Sequence, residues 1–471
     1  MSCFRGAIQN RLRKEDFMKK QDSYIYFVGI DCAQNKHDFA VINDQKKFLI
    51  KKGHFSNTLQ GYEKFLKTVL SKCLNKDKIL FGMEVTGIYG TNLYERLASE
   101  GYHVVIISPD SVKKYRDYKG LNKTDKIDST CIAELLLKGD AQLVDIQKNG
   151  YTDLKAYIRR RNALKTTCTQ ETNRFLAKVC LYFPDLLKVF PSGRATLKAV
   201  FSIYPTPYSI IEANFDELVS VLQEASKNKF GQDKAKELVR AARNSIVVRK
   251  SVPDGELYNI HSLIDSINSL ETEIRVLENL IQSKAEEYPA YQVLLTLTGC
   301  GKITAATIIA EIGDISRFHK ASQIVSLAGL YGNNSKSGSS VNKRGKISKK
   351  GSRYLRHAIY MVAEFARRNN PIFKAYFTKK KNGDRTKHIL AVNAVANKLC
   401  KVIYSLLKNQ STYIIQCCDL AKLSESTQNE FFQNVETDFS ANTRRKKYLY
   451  EDKHGELHEF VFKSTRKVRV E

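Results

Sequence analysis

Apolar and polar positions divide the chain into elements before any residue is counted. Residues 24–31 (YIYFVGID) form a continuous apolar run, as expected of a strand buried on both faces. Runs at 37–43 (HDFAVIN), 46–52 (KKFLIKK), 78–86 (KILFGMEVT) and 102–108 (YHVVIIS) predict four more strands. Helical spacing begins near Leu59, Asn92 and Asp125. Three early strands on short links predict an antiparallel meander, and the later alternation predicts parallel crossover units. Residues 150–182 read as one helix. Residues 183–250 are less regular; they contain four of the chain's eight prolines and are taken as an insertion. Ile260, Leu263, Ile267, Leu270, Ile274, Leu277 and Ile281 then alternate spacings of three and four, the seam of a coiled coil. That seam has two possible partners, a second copy of the chain or the helix at 150–182. Further helices are expected at 352–368 and 388–407.

Composition narrows the function. At 471 residues, two or three domains are expected. A formal charge of +28 points to a polyanionic partner. With the basic residues spread widely and no apolar run of about 18 residues, nucleic acid is preferred over a membrane. The ten cysteines form no C-x-x-C pair and suit a reducing cytoplasm rather than a zinc site. The first 22 residues are basic without an apolar stretch, which predicts an arm rather than a secretory signal.

Four acids carry the candidate chemistry. Asp31 ends the first strand and Glu84 a later one, while Asp125 and Asp128 stand three apart, on one face of a helix. Asp125 also suits the helix cap. Converging carboxylates need protons or cations to offset their repulsion. Oxygen ligands favour Mg²⁺ (or Mn²⁺), the usual equipment of phosphoryl transfer. Lys113, Lys114, Arg116, Lys119 and Lys123, interleaved with Tyr115 and Tyr118, precede the helical acids and suit phosphate and unpaired bases. Gly299, Gly301 and Lys302 open another helix, where backbone N–H groups can meet a phosphate. Between Ser335 and Arg356 stand eight Lys or Arg and no acid. Lys343, Arg344, Lys349, Lys350, Arg353 and Arg356 are candidate nucleic-acid contacts there, and Ser337 is a loop hydroxyl amid positive charge.

GIDCAQNKHDFAV, MEVTGIYG and the stretch from GYHVVIISPD to KTDKIDSTCIAELL resemble the DEDD transposases of the insertion sequence 110 family, relatives of the Piv-type invertases. The resemblance resumes in LLTLTGCGKITAATIIAEIG, SLAGL and SGSSVNKRGKISKKGSRYLRHAI. It covers roughly residues 24–145 and 291–408; after SLAGL, YGNN stands where the family usually has proline. It implies an α/β RNase H/RuvC-like domain, then a helical coiled-coil segment, then a mainly α-helical C-terminal transposase domain. It also implies that Asp31, Glu84, Asp125 and Asp128 bind the metal. Ser337, among the rivals Ser335, Ser339 and Ser340, would attack DNA to give a phosphoserine link. Target and donor DNA, a structured guide RNA and a homodimer or homotetramer are the implied partners.

The expected division is a basic arm over 1–22, the RuvC-like domain over 23–148 and a helical region over 149–290 containing the insertion. A transposase domain over 291–410 and an extension over 411–471 follow. Two rival functions stay open: a metal-dependent endonuclease using water as nucleophile, and a nonenzymatic nucleic-acid scaffold.

Overall fold

The structure, a computed structural model, describes residues 23–84, 89–122, 125–139, 143–144, 151–191, 194–332, 335–337, 341–343, 347–384, 387–437 and 447–462. Of Asp125, Lys126, 143–144, 194, 335–337, 341–343 and 417–418 it describes only the backbone. The N-terminal arm, Lys123 and Arg344 lie outside the described residues. The chain divides into two units, residues 1–148 and 149–471.

In the first unit, β1 (Tyr26–Asp31), β2 (Lys36–Asn43) and β3 (Phe48–Ser56) form an antiparallel meander. Helix α1 (Leu59–Leu70) leads to β4 (Ile79–Glu84), parallel to β1, and α2 (Thr91–Ser99) to β5 (His103–Ile107), parallel to β4. Helices α3 (Pro109–Tyr118) and α4 (Asp125–Lys138) follow, and β6 (Leu143–Val144) closes a sheet of order β3-β2-β1-β4-β5-β6. Alternation sorts the strand residues onto two faces. Val28, Ile30, Phe39, Val41, Phe81 and Met83 meet Phe65 and Val69 of α1 on one face. Phe27, Ala40, Ile42 and Leu80 meet Ile132, Leu135 and Leu136 of α4 on the other. Both faces of β1 are therefore covered, which is why its sequence is almost wholly apolar.

The second unit is built on two long antiparallel helices, α5 (Thr152–Tyr182) and α6 (Asp254–Glu286). Ion pairs Arg161–Glu278 (2.5 Å) and Lys178–Glu256 tie their opposite ends. The heptad seam packs inside the chain: Ile260, Ile267 and Ile274 share a core with Leu164, Cys168 and Phe175 of α5. The block read as an insertion is helical, with Arg194–Ile203, Phe215–Ser226 and Gln232–Arg243 adding Leu197, Leu218 and Leu238 to that core.

A second core gathers α7 (Pro289–Thr296), α8 (Lys302–Ile312), α9 (Ala321–Ala328), α10 (Arg353–Asn369), α11 (Pro371–Lys381) and α12 (His388–Asn409). Helix α11 was not foreseen, although its start is written in Asn370-Pro371. The buried Asn370 side chain accepts hydrogen bonds from the backbone of Ile372 and Phe373, and Pro371 takes the first helical turn. Helix α12 is long and apolar enough to cross a bilayer, but Val392, Val395, Leu399 and Ile403 are fully buried in this core. A small sheet of two-residue strands and the hairpin Lys447–Glu451/Leu457–Phe462 then packs around Phe431 and Phe460. The sequence gives that extension no elements in advance.

Candidate active site and nucleic-acid contacts

The acids at the strand ends are aligned by register. Asp31 of β1 pairs with Glu84 of β4 in the parallel ladder, so both stand at the same level and on the same face. Across the antiparallel ladder, Asp31 stands opposite Asp38 of β2. Alternation places all three on the face that α4 covers. Cys32 points to the other face and reports the local field. Burial, and then the negative charges of Asp31 and Glu84, push its thiol up to about 12.

Helix α4 reaches this face because β1 gives it room. A Cβ on Gly29 would lie 2.3 Å from the Ser129 carbonyl oxygen and 2.4 Å from the Ala133 nitrogen. Helix and strand backbones therefore touch two residues before Asp31, and only glycine permits it. At Gly82 an added Cβ would meet Leu136 at 2.6 Å. Asp128 lies in the first turn of α4, one residue before that contact. Its buried carboxylate accepts a 2.5 Å hydrogen bond from Arg116 of α3. Asp128 in turn raises the guanidinium's affinity for its proton. Arg116, grouped by sequence with the phosphate-facing cations, thus turns inward to hold an acid. Asp125 starts α4, and its side chain is outside the described residues.

The other cations of this region face outward. Lys113 and Lys114 are exposed on α3, with Lys114 3.4 Å from Asp110. Lys119 pairs with Glu134 at 2.5 Å and lies over the Tyr115 ring. His37 is buried on the opposite sheet face, against Phe55. Burial holds its pKa below the ordinary value.

In the second unit, the basic segment folds back on itself as the two-strand hairpin β7 (Ser335–Ser337) and β8 (Val341–Lys343). Ser337 is the last residue of β7 and pairs with Val341. Side chains of 333–346, among them Ser337 and Lys343, are outside the described residues. The base of the hairpin is firmly built. Gly332 bridges Ile347, Gly329 and Gly351 adopt positive φ, and Arg356 donates to the carbonyls of Ala328 (2.9 Å) and Lys349 (3.3 Å). Lys349, Lys350 and Arg353 are exposed there, and Arg353 stacks on Tyr354.

The two glycines before α8 differ in role. Gly299 has φ +87°, and an added Cβ would lie 2.9 Å from Phe365, so its requirement is for packing. Gly301 caps α8 with open space around it, leaving its backbone accessible. Lys302 donates to Gln282 of α6 at 2.9 Å. Among the described residues, a compact group of potential metal ligands stands elsewhere, at Asp452, Glu456 and His458. There Asp452 caps the hairpin turn, accepting from the His454 and Glu456 backbones and pairing with His458 at 2.9 Å.

Sequence comparison relates the chain to known proteins. Residues 28–184 match the DEDD transposase family of IS110 elements, described as "Transposase", and residues 291–378 match "Transposase IS116/IS110/IS902 family". The pilin gene-inverting protein of Moraxella bovis is 23% identical over 391 residues, covering 82% of this chain and 97% of that protein. The transposase for insertion sequence element IS1111A of Coxiella burnetii is 24% identical over 417 residues, covering 87% and 97%. The insertion element IS110 uncharacterized 43.6 kDa protein of Streptomyces coelicolor is 22% identical, covering 82% and 95%. With two family matches at the acid-bearing sheet and the glycine–serine region, and relatives aligned along most of its length, the chain belongs to the IS110 family of DEDD transposases.

Proposed function

We propose that this transposase cuts and rejoins the DNA of its own insertion sequence using a cation-binding acidic site and a serine nucleophile. The observation that carries the reading is the register pairing of Asp31 with Glu84, beneath the helix that bears Asp125 and Asp128. Oxygen donors from these four acids suit Mg²⁺ or Mn²⁺. When bound, the cation would neutralise charge on the scissile phosphate. Arg116 would fix the orientation of Asp128 and offset part of the repulsion among the acids.

Ser337 would supply the oxygen that attacks phosphorus. As its Oγ–P bond forms, the bond from phosphorus to the deoxyribose oxygen breaks. The serine proton leaves to solvent or a nearby base, and the departing oxygen gains one. One phosphodiester replaces another, so the reverse attack reseals DNA without ATP. Lys113, Lys114, Lys123, Lys302, Lys343, Arg344, Lys349, Lys350, Arg353 and Arg356, with the backbone at Gly299 and Gly301, would grip nucleic acid. A structured guide RNA and self-association into a dimer or tetramer complete the proposal, both by family resemblance. The charge of +28 is compatible with a second polyanion.

The test is a denaturing gel of the full-length protein with labelled element-end DNA and its flanking non-coding RNA. The wild type should leave a covalent protein–DNA band that Ser337→Ala abolishes. Free cleaved DNA from Ser337→Ala, needing Asp31 but forming no adduct, would establish the water-using endonuclease instead.

A further inference from the structure

Asp38 was not among the acids that the sequence singled out, and the fold gives it a place beside them. It stands opposite Asp31 in the β1–β2 ladder, while Asp31 pairs with Glu84 on its other side. Three carboxylates thus form a row across β2, β1 and β4 on the face that α4 covers. Directly opposed residues have Cβ atoms about 4.5–5.5 Å apart, and like charges there are destabilising.

Two further observations set Asp38 apart from an ordinary surface acid. It is only 6% exposed, and its Oδ1 is buried without a hydrogen-bond partner. The cation near it is Lys36, 3.8 Å away, on a side chain that is half exposed. That distance is too long for a hydrogen bond, and solvent screens the pair. A buried carboxylate opposite another carboxylate demands a positive charge or a proton. Across the β2–β3 ladder Asp38 faces His54, which is exposed and gives its Oδ1 no hydrogen bond, and the deeper side chains of that sheet face, Phe27, Ala40, Ile42 and Leu80, are apolar.

We propose that Asp38 is a fifth carboxylate of the cation site, sharing with Asp31 the ion that the row is built to hold. The inference rests on the reading of Asp31 and Glu84 as cation ligands. It explains why a buried acid is tolerated at the end pair of a core strand ladder.

The experiment is a titration of the purified full-length protein with Mn²⁺ alone, following the free ion by electron paramagnetic resonance, with melting curves in EDTA and in Mg²⁺. Asp38→Asn should weaken Mn²⁺ binding by roughly 10- to 100-fold. In EDTA it should melt at or above the wild-type temperature, because a repulsion has gone, and it should lose the Mg²⁺-dependent rise in Tm. Asp31→Asn is the control. If Asp31→Asn loses Mn²⁺ while Asp38→Asn binds it like the wild type, Asp38 is no ligand and only this inference falls. If neither substitution changes Mn²⁺ binding, the acidic site itself is misread. Should Asp38→Asn fail to fold, Asp38→Glu keeps the charge but displaces its oxygens by one methylene. Unchanged Mn²⁺ affinity in that variant would also overturn the proposal.

Discussion

The acid-bearing end of the sheet and the serine-bearing hairpin position their polar groups in opposite ways. Asp31, Asp38 and Glu84 are positioned by strand register, with the neighbouring residues of all three strands buried. Their coordinates are a property of the core, since a slip of one residue would turn every apolar side chain outward. Ser337 stands on a hairpin of two three-residue strands, a pairing too short to be stable by itself. Its placement is secured instead at the base, by Gly329, Gly351 and the Arg356 hydrogen bonds to backbone carbonyls. The lesson is that a charge cluster needs a prebuilt frame. The serine proposed as nucleophile stands instead on a short arm, as would suit a group that has to meet a large, separate substrate.

The sharpest way to break this contrast is at the acids. Asp31→Asn and Glu84→Gln should each abolish DNA cleavage while leaving Tm within a few degrees of the wild type, read by gel assay and circular dichroism. A cleavage-competent Glu84→Gln would end the idea that register builds the site. The next effect in size is on stability. Arg116→Met leaves Asp128 buried without its partner and should cost about 3–5 kcal/mol in urea unfolding, with Asp128→Leu on the same background recovering most of it. Gly29→Ala forces β1 and α4 apart and should cost about 1–3 kcal/mol, whereas Gly301→Ala, in open space, should leave stability nearly unchanged.

The smallest effects are those of pH. Burial depresses the pKa of His37, so the folded state resists its protonation. Stability from this group is complete above the ordinary value of 6.5 and declines as pH falls below it, and His37→Gln should flatten that part of a Tm-against-pH curve. Asp452 is held at about 2, against an ordinary 3.8, first by its bond from His458. Its contribution to the C-terminal hairpin should persist above that ordinary value and vanish as pH falls toward 2, a change Asp452→Asn should remove.

Much of this frame was legible in the residues. Continuous apolar runs predicted the strands, because β1 and β4 are covered on both faces and cannot alternate. The acids at the ends of those runs stood out because a charge bordering such a strand is costly without purpose. Asp38 escaped notice because it sits inside the run HDFAVIN, where its partner is visible only once the β1–β2 register is known. Arg116 escaped for a similar reason, since one arginine among lysines gives no sign that it alone turns inward. The heptad seam predicts a coiled coil, but spacing is the same whether the partner is another copy or α5, and the structure packs it against α5. The C-terminal sheet was missed because two of its strands are only two residues long, too short to show alternation.

The contact at Gly29 has a consequence for how this site can evolve. Main chain meets main chain there, so exchanging core side chains cannot adjust the gap between Asp31 and the helix that bears the later acids. Substitution elsewhere in the domain can wander widely while this spacing stays fixed. A lineage wanting a different ion would have to replace an acid or move the helix bodily along the strand.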